Sequence, residues 1–335
     1  MTDHTHRRLP TLGKAVKALL LFLFSFFVIS LCFTLLAQRI AFGRRDTLPP
    51  TELRYEESAA GARERVSFPS GKNTLRGWLY LQEADARGLV IVVHGLGGGA
   101  DSFLPEIERF VAEGYAVLSY DGTGTRSSDG AGVRGLPQAR LDLEAALRYV
   151  EGEVRLRSLP LYLYGHSAGG YAVARVLPEH PEIAGAVCLA AFDRPVEEML
   201  YQAREHTGPL SMVGKPFLRL SCALLFGKDA DAPAAGAIAL ASSPVLIAAG
   251  RDDETVPYSF SLLAASSAGE GRELLLFDGG HDDMRFSEAA RAARAALLSG
   301  EPVDRRSCCE LSEPLMSAVL ALFSSTEEKS LPAAA

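Results

Sequence analysis

Gly165-His166-Ser167-Ala168-Gly169 stands between the apolar run Leu159–Tyr164 and the helix-forming run Gly170–Leu177. Small residues on both sides of the serine suit a sharp strand-to-helix turn, which holds the hydroxyl out at the strand's end. A serine hydroxyl is a weak nucleophile until an adjacent base takes its proton, and that base must be oriented by a third group. The chemistry on offer is attack on an acyl carbon. The pentapeptide alone also arises by chance; the strand before it and the helix after it give it chemical meaning.

Seven histidines are available as the base. His4 and His6 precede a long apolar run, His94 and His166 sit inside Gly-rich turns, His180 ends a helix, and His206 lies in an insertion. Only His281, in Phe277-Asp278-Gly279-Gly280-His281, follows the last expected strand. A serine of this kind is followed in the chain by its acid and then its histidine. A lone loop histidine is ordinarily just solvated, but position and order single out His281. For the acid, Val245–Ala249 runs into Gly250-Arg251-Asp252-Asp253-Glu254, at the carboxyl end of a strand where open sheets bind ligands. Asp252 and Asp253 compete there, as does Asp193, which ends the preceding strand; the bland alternative is a solvated acidic turn. An oxyanion formed at Ser167 needs donors. Ala168 N–H supplies one as the residue after the nucleophile, and Leu96 N–H, in His94-Gly95-Leu96-Gly97-Gly98-Gly99, is the second. That glycine run carries no Lys-Ser/Thr, so it is not a phosphate loop.

These loops require strands to position them. Val66–Phe68 and Leu75–Leu81 read as a hairpin with Ser70-Gly71-Lys72-Asn73 as its turn. Leu89–Val93, Tyr115–Tyr120, Ala186–Ala191, Pro244–Ala249 and Glu273–Phe277 alternate with helical stretches at Phe103–Glu113 and Leu136–Glu151. Such alternation predicts an α/β fold, a mostly parallel central sheet flanked by helices. Residues 193–243 contain no clear strand and read as a small helical cap inserted over the site, with helices at Val196–Arg204 and Phe217–Phe226. Its apolar residues Phe217, Leu218, Leu220, Leu224, Leu225 and Phe226 suit either an acyl pocket or packing onto the body. A polar stretch, Glu301–Glu310, divides the last two helices.

Ala18–Ala37 is an uncharged run of 20 residues, about 30 Å as a helix, which matches the bilayer's hydrocarbon core. It reads as a transmembrane anchor, since a signal peptide's apolar region is shorter; Ala41-Phe42-Gly43 keeps cleavage as the alternative. The domain plan is a tail over 1–17, the anchor over 18–37 and a polar, Pro-containing linker over 38–64. The catalytic domain then covers 65–325 and a second tail 326–335. Basic residues on the two sides of the anchor nearly balance, with a lean toward an extracytoplasmic domain. The whole chain has 335 residues and a formal net charge of −7, which offers no basic face for nucleic acid. No metal-type Cys/His spacing is present, and no cofactor is implied. Cys188 suits an inert buried thiol, while Cys308-Cys309 leaves redox and accidental readings open.

His94-Gly95-Leu96-Gly97, then Tyr120–Ser127, Gly165–Gly169, Gly250-x-x-Asp253-x-x-Val256-Pro257 and Gly280-His281 resemble, in order and spacing, the α/β-hydrolase family over residues 65 to 325. The amino-terminal span followed by this core is similar to membrane-anchored Bem46-like hydrolases. Tyr120–Ser127 departs from the commoner family pattern by carrying Gly-Thr where Arg-Gly is frequent, and its Asp121 reads as a structural hydrogen-bonder. The resemblance selects Asp253, three residues before Val-Pro, and implies a Ser167–His281–Asp253 triad acting through an acyl-enzyme. The expected activity is hydrolysis of a carboxylic ester, with a small-molecule or lipidic acyl substrate. A peptidase or amidase is the runner-up, and a membrane-tethered ligand-binding module without catalysis is the non-enzymatic alternative.

Overall fold

The computed structural model describes residues 12–80, 86–208 and 211–330. Its sheet has eight strands: β1 (Glu64–Ser70), β2 (Asn73–Tyr80), β3 (Leu89–Val93), β4 (Ala116–Asp121), β5 (Leu161–His166), β6 (Ile183–Leu189), β7 (Val245–Gly250) and β8 (Arg272–Phe277). They lie in the order β1-β2-β4-β3-β5-β6-β7-β8. β1 and β2 pair antiparallel, as do β2 and β4, and every later neighbour is parallel. The hairpin at the amino-terminal edge fits its sequence, because Pro69, which cannot donate a ladder bond, sits in the edge strand β1. Leu81, expected in that hairpin, lies outside the described residues.

The inner strands β3, β4, β5 and β7 are buried along their whole length, and β6 everywhere but Ala184, which explains their apolar runs. Helices cover both faces: α2 (Leu104–Ala112), α3 (Gln138–Gly152) and α4 (Ala168–Val176) connect the inner strands, and α8 (Leu262–Ala265) precedes β8. After β8 come α9 (Glu288–Leu298) and α10 (Glu313–Ser330). From β3 the chain steps outward to β4, then returns across β3 to lay down β5. Connections leaving β3 and β5 therefore diverge, and a crevice opens at the carboxyl ends of these two strands. Register sharpens this: Val93 pairs with Gly165, bringing the His94 turn beside Ser167, and Gly250 pairs with Phe277, bringing the Asp253 loop beside His281.

Three regions differ from the expectation. The first helix, α1 (Leu12–Ala41), has 30 residues and runs past the expected anchor at both ends. Residues 38–64 do not hang free as a spacer. Gly43 and Arg45 form bridges with Gly132 and Thr125, and Gln38, Phe42, Thr51, Leu53 and Ala60 are buried. The Arg44 guanidinium is consumed by the carbonyls of Ser128, Gly130 and Arg126, so its charge does not mark a solvated tether.

The cap, α5 (Pro195–Thr207), α6 (Ser211–Phe226) and α7 (Ala234–Leu240), is inserted between β6 and β7. Its helix α6 packs on α1 instead of closing over Ser167, while α5 reaches the loop after β7, where Tyr201 and Gln202 donate to Glu254 O and Thr255 O. Phe217 meets Phe27 and Phe26 with ring centroids 5.6 and 6.4 Å apart, and Ser221 hydrogen-bonds Gln38. Apolar side chains on both helices favour this contact over the polar cavity beside the serine.

Candidate active site

Ser167 follows β5 directly and precedes α4, with φ +56° and ψ −120°. A non-glycine residue at this φ is strained, and the neighbours show what holds it. A Cβ on Gly169 would lie 2.0 Å from the Val93 carbonyl oxygen, and one on Gly165 would lie 2.5 Å from that of Gly169. Glycine at both positions is thus a condition of the turn. Ser167 N–H donates to Leu189 O at 2.8 Å, tying the turn to β6. Ala168 is the first residue of α4, so its N–H has no partner within the helix and adds to the positive end of the helix dipole.

The Gly-rich turn after β3 is set by His94. Its Nδ1 lies 2.7 Å from Gly95 O, and its Nε2 accepts from Gly122 N–H at 2.9 Å. Burial lowers the pKa of this imidazole, which suits the neutral tautomer these partners imply. Gly95 approaches so closely that an added Cβ would sit 2.9 Å from Ser167 Cβ. Leu96 follows on the same cavity wall. Asp121 holds the next loop by accepting from Ala100 N–H, Ser127 N–H and the Ser127 hydroxyl, a structural part.

Asp253 and His281 meet across the ends of β7 and β8: Nδ1 of the imidazole donates to Asp253 Oδ2 at 2.7 Å. The other carboxylate oxygen accepts from Thr255 N–H and Val256 N–H, both at 2.8 Å, and the side chain is 1% exposed. The rival acids are engaged elsewhere, Asp252 with Gly279 N–H and Asp193 with Ala235 N–H. Ser167, Leu96 and His281 line one cavity of about 230 Å³. Among the described residues no hydrogen bond joins the Ser167 hydroxyl to the His281 ring.

Two further groups position this cavity and were not singled out from sequence. His166 Nε2 donates to His281 O at 3.1 Å, so the residue before the serine holds the loop that carries His281. Burial pushes its pKa down to about 4, keeping it neutral. Arg285 is gripped by Glu106 through Nε and Nη2, bonds Asp282 and Ser102 O, and stacks on Phe103 at 4.0 Å. The signal for this pair is Glu106, a fully buried carboxylate between the apolar residues Leu104 and Ile107 of α2.

The far wall of the cavity comes from Pro49, Thr51, Glu52 and Leu53, and its base from Arg294 and Cys309; among the described residues no cap side chain lines it. Cys308 and Cys309 are buried free thiols, and burial pushes Cys309 up to about 11. Among the described residues no three His, Cys, Asp or Glu side chains gather as a metal-ligand group.

Residues 84–223 match a family model described as serine aminopeptidase, S33. An esterase of Pyrococcus furiosus superposes with a TM-score of 0.59 at 17% identity, over 85% of this chain and 97% of that one. An α/β hydrolase of Penicillium gives 0.52 at 16% identity over 80% of this chain and 100% of its own. The acylaminoacyl peptidase of Pyrococcus horikoshii gives 0.54 at 14% identity, over 83% of this chain but 43% of that longer protein. At these identities the likeness is one of fold, and this chain has the α/β-hydrolase fold, a mostly parallel eight-stranded sheet flanked by helices.

Proposed function

We propose that the protein is a serine hydrolase that cleaves a carboxylic ester through an acyl-enzyme on Ser167, held at a membrane by α1. The observation that carries this reading is the strained Ser167 turn opening on the same cavity as the His281–Asp253 pair. The Ser167 oxygen attacks the acyl carbon while its proton passes to Nε2 of His281, whose Nδ1–H stays on Asp253. The negative oxygen of the tetrahedral intermediate faces the N–H groups of Leu96 and Ala168. His281 then protonates the departing alkoxide, leaving the acyl group on Ser167. Water repeats the sequence, giving its proton to His281 and releasing the acid as Ser167 is restored. Substrate must draw the hydroxyl and imidazole together, as is common when a free enzyme binds.

Reaction with a fluorophosphonate tests the assignment. Wild-type protein is expected to label on Ser167, and Ser167→Ala to lose both labelling and ester turnover while keeping its thermal transition. Labelling that persists in the variant overturns the assignment. The aminopeptidase description of the matched family model and the peptidase neighbour favour amide cleavage as the second reading. A matched panel of esters, thioesters and peptides decides between them. The anchor part of the reading rests on a helix, Gly13–Ala41, long and apolar enough to cross a membrane, and on its side chains being exposed through the most apolar window.

A further inference from the structure

Between α1 and the cap lies a groove of about 450 Å³, the largest of the cavities described so far, and none of its lining residues carries a charge. Ile29, Phe33 and Ala37 form one wall, and Met199, Leu200 and Phe217 the other. Membrane geometry says how deep it sits. The part of α1 free of the cap, Gly13 to Ser25, is thirteen residues, about 20 Å at 1.5 Å each. A hydrocarbon core of about 30 Å exceeds this by about 10 Å. If α1 crosses, the missing depth is met by sinking the cap side of the molecule into the acyl region of one leaflet, a depth usual for interfacial helices. An uncharged groove at that level faces lipid tails.

Two smaller cavities lie beyond the groove, the first sharing lining residues with it and the second adjoining the first only along the chain. Gln38 and Phe42 are shared with a second cavity of about 250 Å³, which reaches Gly132 and Arg134. Next along the chain, Val133 and Leu136 line a mostly apolar slot whose other wall includes Leu96 and Ala168. The slot, about 30 Å³, holds no more than a water in this structure. Gln38 latches the junction: its Nε2 donates to Arg134 O at 3.1 Å, and its Oε1 accepts from the Ser221 hydroxyl at 2.7 Å. Anchor, cap and inner loop are thereby joined at one buried amide.

We propose that the groove holds the acyl chain of a bilayer lipid, and that the ester of such a lipid, its chain threading the Gln38 junction, is the bond delivered to Ser167. This deepens the proposed function and rests on its anchor and its serine chemistry. The test uses the full chain in phosphatidylcholine vesicles containing a phosphatidylcholine with a photoactivatable diazirine on its acyl chain. Adducts are expected on Met199, Leu200 and Phe217 as well as on the free face of α1. Ala203→Trp, which fills the groove, should cut the cap adducts by ~10-fold and leave those at Leu19–Phe24 in place. Adducts confined to the free face of α1 overturn the groove as a lipid site.

Delivery is read from two substrates. Ala203→Trp, or Leu200→Trp should the first fail to fold, is expected to lower turnover of a palmitoyl ester in vesicles ~10-fold. A soluble acetyl ester should keep its rate, and fluorophosphonate labelling should show the site intact. An equal fall for both esters, or none for the palmitoyl ester, overturns delivery through the groove. Cap adducts in a wild-type protein whose Ser167 does not label overturn the serine reading and delivery together, and leave the groove as a lipid-binding site.

Discussion

Ser167 stands between two unlike spaces. On one side is the cavity of about 230 Å³, where charged groups such as Glu52, Asp282, Arg285 and Arg294 share the wall with Leu53, Phe103 and Phe286. On the other is the narrow slot of Val133 and Leu136, then the cavity edged by Arg39 and Arg134, and beyond Gln38 the uncharged groove along α1. On the charged side Arg285 pairs with Glu106, and Glu52 with Arg126. The apolar side is held by side-chain packing and one latch at Gln38. A substrate with a polar end and an apolar end is asymmetric in the same sense, and the proposed lipid ester is such a substrate.

The largest expected effect ignores that asymmetry. Asp253→Asn keeps the shape but lets the amide present a donor to His281 Nδ1, so the imidazole loses the tautomer that leaves Nε2 free to accept. The same exchange in a well-studied triad lowers kcat about 10⁴-fold. Here an equally severe loss is expected for acetyl and palmitoyl esters alike, measured by steady-state kinetics with KM little changed. A loss confined to one ester would mean that Asp253 acts on binding at one side of the serine.

Glu106→Gln breaks the polar side alone. It leaves the Arg285 guanidinium buried without its charge partner, and removing one partner of a buried pair costs about 3–5 kcal/mol. Denaturant unfolding should register that loss. Because Arg285 also bonds Ser102 O and Asp282 beside His281, labelling of Ser167 is expected to slow as well. Unchanged stability would show that water reaches Arg285 and that this side is softer than its packing implies.

The polar and apolar sides differ in how far the sequence discloses them. Ser167, His281, Asp253 and the His94 turn each lie just past a strand, and apolar runs mark strand ends well, so their gathering at one crevice was legible. The parallel sheet was legible for the same reason. His166 holding the His281 carbonyl, and Arg285 gripping Glu106 from 179 positions away, were not, since a long-range polar pair leaves no periodic trace. The linker misled because polar residues that bond backbone carbonyls look the same, in sequence, as polar residues in water. The cap's helices were readable, but not the surface they pack on. That choice was decided by α1, whose apolar side chains offer α6 a better partner than the Arg- and Glu-lined cavity does.

Glu198 bridges the comparison, since it belongs to the cap helix α5 yet interacts electrostatically with His281 and Asp253. It is 4% exposed; one carboxylate oxygen accepts from Gln202, and the other is buried with no partner among the described residues. Burial, with a smaller push from Asp253, raises its pKa from 4.5 to about 7. The folded chain therefore keeps this proton between pH 4.5 and about 7 while the unfolded chain has lost it, so stability falls as pH rises through that window. Glu198→Gln removes the titration and retains an oxygen for Gln202. The two proteins should unfold alike at pH 4, and the variant should be the more stable at pH 8 by up to ~3 kcal/mol. Parallel Tm profiles across this range would place water at the free oxygen and detach α5 from the electrostatics of the site.

The smallest effect falls on the apolar side. Gln38→Leu keeps much of the side chain's volume but strands the Arg134 carbonyl and the Ser221 hydroxyl, at a cost of about 1–3 kcal/mol. The single proton of the Ser221 hydroxyl has Leu218 O within reach as an alternative acceptor, so the lower end of that range applies. Loosening this junction affects the apolar route without touching Arg285 or Glu106. If the latch holds the Arg134 loop against the slot, its removal should raise palmitoyl-ester turnover relative to acetyl-ester turnover, because the step it eases is entry of the chain. A fall in both would instead make Gln38 a plain structural tie between α1 and the cap, and the two sides of Ser167 would then differ in polarity but not in function.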